Sequence, residues 1–206
     1  MRALVVYCHP LTDSFGAACR DRALAGLVAG GHEVRLTDLY ADGFEPAMPL
    51  AERLTHADPG VPPELQRYAD DLAWAEALVL VYPTWWGGQP AMLKGWIDRV
   101  WVAGVAWELP AGSAVLRPLL RNVRRIVVVT THGSSKLVNS LQGEGGKRTA
   151  FRSIRLMCSL RTRTTWCALY GLDRATAEQR ERFLDRVERT LALRRTLGPR
   201  LPARRS

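Results

Sequence analysis

The chain has 206 residues, 47% of them apolar, and carries a net charge of +9. This length and composition suit one folded domain with its own core and exclude a disordered chain. The cysteines at 8, 19, 158 and 167 form no C-x-x-C pair and no zinc-spaced cluster with histidine, so no metal is expected and the thiols read as buried residues of a reducing compartment.

Residues 3–8, ALVVYC, are a short apolar run that ends at His9-Pro10 and predicts a fully buried strand. The run is too short for a signal peptide, and no apolar run approaches a membrane span, so a cytoplasmic protein is expected. Residues 13–31 predict a helix, capped by Asp13 or Ser14 and ended by Gly30-Gly31. Residues 32–39 alternate like a strand nearer an edge. The prolines crowded into 40–63 mark an irregular excursion. Residues 64–75 predict a helix, 77–82 (ALVLVY) a second buried strand, and 90–102 a helix with proline in its first turn. A second irregular insertion fills 103–122. Residues 124–133 (RRIVVVTTHG) predict a third buried strand, 140–160 a partly helical stretch, and 162–171 a further strand. Thr176 and Gln179 form a capping box that opens an amphipathic helix over 176–195.

Strand and helix alternate five times, and no segment repeats. Three strands are continuous apolar runs, which predicts an α/β fold with a parallel, doubly wound sheet covered by helices on both faces. The arginine-rich, acid-free stretch 194–206 reads as a solvated basic tail. No aromatic residue accompanies its arginines, as stacking on bases would require, so nucleic acid is not an expected partner.

In such a sheet, ligands bind outside the carboxyl ends of the strands, which singles out three loops. The first, CHPLTDSF (8–15), has neither G-x-G-x-x-G nor G-x-x-x-x-G-K-[ST], excluding a Rossmann or P-loop nucleotide site. It still leads into a helix N-terminus, and His9, Thr12 and Ser14 add donors suited to a phosphate. The plain alternative is a helix cap and a turn. The second loop, YPTWWGGQP (82–90), offers flat walls from Trp85 and Trp86. Its backbone, at Trp86, Gly87 and Gly88, can approach a heteroaromatic edge closely. The alternative is tryptophans filling a core or subunit interface. The third, TTHGSS (130–135), is a burst of donors for ring carbonyls or a sugar, or else a solvated turn.

Four motifs carry a family resemblance: His9…Ser14-Phe15; Pro83…Trp86…Gly88…Pro90-Ala91…Leu93-Lys94-Gly95-Trp96…Arg99-Val100; Thr130-Thr131…Gly133-Ser134; and Ser140-Leu141-Gln142-Gly143. With these the chain resembles the flavodoxin-like NAD(P)H dehydrogenase (quinone) family, also called DT-diaphorase-like, from residue 3 to about 195. The resemblance implies a flavodoxin-like three-layer sandwich over 1–195, with a five-stranded parallel sheet of order 2-1-3-4-5, followed by the basic tail at 196–206. It implies a tightly held flavin, FAD in the best-known members and FMN in some bacterial ones, at the interface of a homodimer. By position, His9, Ser14 and Phe15, with Thr12 beside them, would hold the phosphate side. Pro83, Thr84, Trp85, Trp86 and Gly87 would cup the isoalloxazine ring, and Thr130, Thr131, His132, Gly133 and Ser134 its other edge. The implied activity is two-electron reduction of quinones by NAD(P)H, through hydride transfer in a ping-pong cycle, and the basic charge favours NADPH.

The sequence departs from the family pattern where relatives carry a tyrosine and a histidine that stabilise charge on the reduced flavin. Those positions are Asn139 and Gly145 here. His132, the backbone amides of 131–135 and Asn139 are expected to take over that role. Two other readings fit parts of the sequence. One is an ancillary subunit of a membrane ion-efflux system, with the tail touching a partner or anionic lipid. The other is a one-electron flavodoxin carrier, against which the first loop and the basic charge both argue.

Overall fold

A computed structural model of the protein describes residues 1–193. The basic tail, its expected membrane or partner contacts, and the last residues of the predicted domain lie outside the described residues.

The chain opens with β1 (Arg2–Tyr7), buried along nearly its whole length, then α1 (Phe15–Ala29) and the edge strand β2 (Glu33–Asp38). The proline-rich excursion holds one short helix, α2 (Leu50–Leu54), before α3 (Gln66–Trp74). The fully buried β3 (Ala77–Pro83) leads to α4 (Ala91–Val100), whose cap is Pro90, one position earlier than the first-turn proline expected. Within 103–122 the structure adds an antiparallel pair, β4 (Trp107–Glu108) and β5 (Arg117–Pro118). β6 (Arg125–His132) is followed by α5 (Lys136–Leu141), α6 (Gly145–Arg148) and a π-helical segment at Thr149–Ile154. β7 (Arg163–Tyr170) and α7 (Ala177–Ala192) complete the described chain, with the predicted Thr176–Gln179 capping box in place.

The main sheet runs β2-β1-β3-β6-β7 with every neighbouring pair parallel. Counting only its five strands, this is the expected order 2-1-3-4-5. The alternation of side chains along a strand explains why the central runs are apolar throughout. From β1, Leu4 and Val6 enter a core shared with Leu72 of α3 and Leu93 and Trp96 of α4. Val5 and Tyr7 enter the opposite core, with Leu27 of α1 and Phe183 and Val187 of α7. Each such side chain contributes about 1.5–3 kcal/mol on full burial.

The 40–63 excursion is fastened to α4. Arg99, only 4% exposed, donates through Nε to Glu52 Oε2 at 2.9 Å and through its terminal nitrogens to Glu52 and the carbonyl of Glu45. Gly95 allows the approach, because a Cβ there would collide with the backbone of Pro46. The parallel sheet delivers the ends of β1, β3 and β6 side by side, with Tyr7 opposite Val81 and Pro83 opposite Thr131.

Candidate functional site

The first loop closes on the start of α1. Ser14 Oγ accepts from the Ala17 amide at 3.1 Å, so Ser14 and not Asp13 is the cap. His9 Nδ1 accepts from the Leu11 amide at 3.0 Å, which leaves the Nε2 edge of the ring to other partners. Both side chains crowd Gly16, where a Cβ would lie 3.3 Å from Ser14 Oγ and 3.4 Å from His9 Cδ2. The first amides of a helix have no acceptor within it, so this end of α1 presents N–H groups beside His9 and Ser14. Two expected contributors differ in kind. Thr12 is exposed. The ring of Phe15 turns inward, 6.1 Å from that of Phe183, so only its backbone faces the loop.

The second loop is a tight turn. The amide and carbonyl of Trp85 and Gly88 pair with each other at 3.2 and 3.0 Å. Trp86 (φ 49°) and Gly87 (φ 73°) sit at the corner in the left-handed region. Glycine adopts that conformation freely, whereas for tryptophan it costs about 1–2 kcal/mol. Trp86 is fully exposed, and Trp85 is 42% exposed with its ring 6.5 Å from that of His9. A strained residue holding a large apolar ring in solvent makes this turn a candidate binding surface. Pro83, the last residue of β3, is buried and ends the strand at the base of this turn.

The third group differs from the expected loop. Thr130, Thr131 and His132 are the buried end of β6. Thr84 ties the second loop to them: its amide donates to Thr131 O at 2.8 Å, and its Oγ1 lies 2.9 Å from Thr130 Oγ1 and 3.4 Å from His132 Nε2. His132 Nδ1 is buried and makes no full hydrogen bond. Burial lowers the His132 pKa from its usual 6.5, against weaker opposing effects of Asn139 and Glu144, so the ring is neutral at pH 7. Gly133 is exposed and passes close to Asp173, whose Oδ2 would lie 3.0 Å from a Cβ there. Asn139 donates from Nδ2 to Ser134 Oγ at 2.7 Å and to Ser135 O at 3.1 Å. Both amide hydrogens are thus engaged within the loop, and Asn139 shapes the loop instead of presenting a free donor.

Thr84, Gly87, His132 and Asn139 share a small enclosed pocket with residues that sequence reasoning missed: Glu144, Gly146, Lys147, Trp166 and Tyr170. The ring of Tyr170, at the end of β7, stacks on His132 with centroids 4.5 Å apart. Lys147 Nζ pairs with Glu144 at 3.0 Å. Glu144 and Trp86 are the two non-glycine residues with positive φ among the described residues, and their loops are bonded together. The Gly146 amide donates to Gly87 O at 3.3 Å, and Gln89 Nε2 donates to Gly146 O at 3.1 Å. Gly145 lies on the same seam, where a Cβ would come within 3.1 Å of Gly87 O. This close approach gives a local reason for glycine at this position. Beneath the seam the Tyr82 hydroxyl is buried without a partner, and burial raises its pKa.

The three loops therefore meet at the carboxyl ends of β1, β3 and β6 of a doubly wound parallel sheet. A family model described as flavodoxin-like fold matches residues 1–191. The chain belongs to the flavodoxin-like fold family. Within it, the resemblance to NAD(P)H quinone reductases is borne out by similarity over long stretches. The chain is 30% identical over 162 residues to rat NAD(P)H dehydrogenase [quinone] 1, covering 70% of this chain and 58% of that protein. It is 38% identical over 124 residues to a Haemophilus influenzae protein described as an uncharacterized NAD(P)H oxidoreductase, covering 59% of this chain and 60% of that one. The matches thus span about three fifths of those relatives' own lengths. Among solved structures, the NAD(P)H:quinone oxidoreductase of Methanothermobacter marburgensis superposes with a TM-score of 0.78 at 25% identity, covering 93% of this chain and 96% of that one. Among its described residues, this flavodoxin-like protein has no cluster of three or more side chains suited to a metal and no helix long and apolar enough to cross a membrane.

Proposed function

We propose that the protein is a flavin-dependent NAD(P)H oxidoreductase that reduces a quinone or a similar small electrophile. The observation that carries this reading is the joining of the β3 and β6 ends through Thr84, with the loop after β1 alongside, its His9 ring 6.5 Å from that of Trp85. It places His132 in one pocket with Gly87, next in the chain to the exposed, strained Trp86. These residues fit a flat heteroaromatic ring with a phosphate-bearing tail. When bound, the flavin would take a hydride from NAD(P)H and deliver it to the acceptor, one substrate leaving before the next enters.

The chain's own residues divide the work. The first-turn amides of α1, with Ser14 and His9, take the phosphate. Trp85, Trp86 and the Gly87 backbone form an apolar wall that excludes water. With Thr130 donating to Thr84 and Thr84 donating to His132 Nε2, the proton of the neutral imidazole rests on Nδ1. That N–H is a preorganised donor for developing negative charge. Asn139 positions Ser134, and the Lys147–Glu144 ion pair, neutral as a unit, lines the pocket wall.

FAD is the cofactor in this reading, and chromatography of the released flavin separates it from FMN. The protein works as a homodimer in the cytoplasm. Exposed Leu137, Val138 and Leu141 of α5 lie beside the turn, since Gln142 packs against Gly87, and a second copy would cover them. All four cysteines are buried free thiols, which suits a reducing compartment. The ancillary-subunit alternative draws no support from the relatives, which carry oxidoreductase names. Expression with flavin supplied, followed by gel filtration and an absorption spectrum, tests the reading. Flavin should co-elute with a dimer, and a colourless protein that retains none contradicts it.

A further inference from the structure

A groove of about 570 Å3 runs between the end of β7 and α7. Residues 168–171 form one wall, and Arg174, Arg182, Arg186 and Arg189 with Gln179 stand along the other. No acidic residue lines it. The spacing of 182, 186 and 189 puts three of these arginines on one stripe of α7. Three of the helix's four acids lie on the next stripe and are turned away: Glu181, Asp185 and Glu188 all pair with Arg22 of α1, and only Glu178 stays on the arginine side. The helix thus separates its charges, with the negative side spent against a neighbour and the positive side left along a concave surface.

The groove arginines are only lightly engaged. Arg182 pairs with Glu178 at 2.8 Å, both well exposed, which is a weak surface contact. Arg186 stands over Phe183 at 5.0 Å and donates one bond to Ala168 O at 2.8 Å. Arg189 reaches the carbonyl of Asp185 at 3.3 Å. A concave surface lined by one sign of charge concentrates its potential, and guanidinium groups match phosphate with paired donors. An added β-strand fits less well, since it would have to displace Arg186 from the Ala168 carbonyl. Tyr170 lines both this groove and the His132 pocket, so the two lie around the same end of β7.

We propose that the groove is an anion subsite for a phosphate-bearing nucleotide, and that it reads the 2′-phosphate that distinguishes NADPH from NADH. The second clause rests on the proposed function; the first does not. Calorimetry on the full chain with adenosine 2′,5′-bisphosphate, 5′-AMP and adenosine separates phosphate recognition from binding of the base. The bisphosphate should bind best, and an Arg182→Gln/Arg189→Gln variant, with Arg174→Gln as a separate check, should weaken it at least tenfold with an unchanged melting temperature. Unchanged bisphosphate affinity in both variants overturns the subsite, as does tighter binding of an oligo-glutamate peptide than of the bisphosphate. The KM for NADPH should rise in the double variant while that for NADH stays within twofold, and equal changes overturn the NADPH assignment. If the protein oxidises neither nucleotide, the proposed reaction fails while calorimetry still decides the subsite.

Discussion

The imidazole of His132 lies against the phenol ring of Tyr170, with centroids 4.5 Å apart and planes inclined by 20°. Trp166 Nε1 donates to the Tyr170 hydroxyl at 3.2 Å, and Thr84 Oγ1 meets the Nε2 edge of His132 at 3.4 Å. The edge strand β7 therefore helps to fix the buried ring of His132.

Removing that ring should slow reduction of the bound flavin. A preorganised donor aimed at developing charge is worth about 3 kcal/mol, or about 100-fold in rate. His132→Ala should show such a loss in stopped-flow absorbance. Tyr170→Phe, which keeps the stack, should stay within about threefold of the wild type.

The buried histidine also gives stability a pH dependence. Its folded pKa is lowered by burial, so the unfolded chain binds the proton more readily. The stabilisation from keeping His132 neutral is complete above its usual pKa of 6.5 and is lost as pH falls through the lowered value. Thermal melts from pH 8 to 5 should show a steeper decline for the wild type than for His132→Gln. Parallel curves would remove His132 from this account.

Trp86 holds a left-handed conformation with its ring in solvent. Asparagine tolerates that region better. Trp86→Asn should raise stability in urea by about 0.5–1 kcal/mol while weakening flavin binding, measured by fluorescence quenching. A variant less stable than the wild type would show that the ring packs on something.

The fold and the site were legible in the sequence to different depths. The buried strands could be read because a strand covered on both faces has to be apolar at every position, as 77–82 is. The capping box at Thr176 could be read because it is local. The two-residue strands β4 and β5 carry no periodicity long enough to detect. The loops after β1 and β3 announced themselves through a helix cap and paired tryptophans. Glu144, Lys147, Trp166 and Tyr170 did not, because they reach the pocket through long-range packing. Tyr170 had one available signal: the carboxyl-end rule applies to β7 as it does to its neighbours. The engagement of both Asn139 amide hydrogens depends on the position of Ser134, which spacing alone does not give.

The clamp between α4 and the excursion is a buried ion pair. Breaking one side of such a pair costs about 3–5 kcal/mol, whereas replacing both partners by apolar groups costs much less. Arg99→Ala should therefore destabilise strongly in urea titration, and Arg99→Met/Glu52→Leu should recover most of the loss. Gly95→Ala should also destabilise, because the new methyl group meets the Pro46 backbone.

The central claim is that the protein carries electrons from NAD(P)H to a small acceptor through a bound flavin. Anaerobic addition of NADPH to the flavin-loaded protein, followed by a quinone such as menadione, tests it most directly. The account predicts loss of the flavin absorbance on the first addition and its full return on the second, with one quinone reduced per flavin. Absorbance that stays unchanged when NADPH and NADH are added in turn would contradict it.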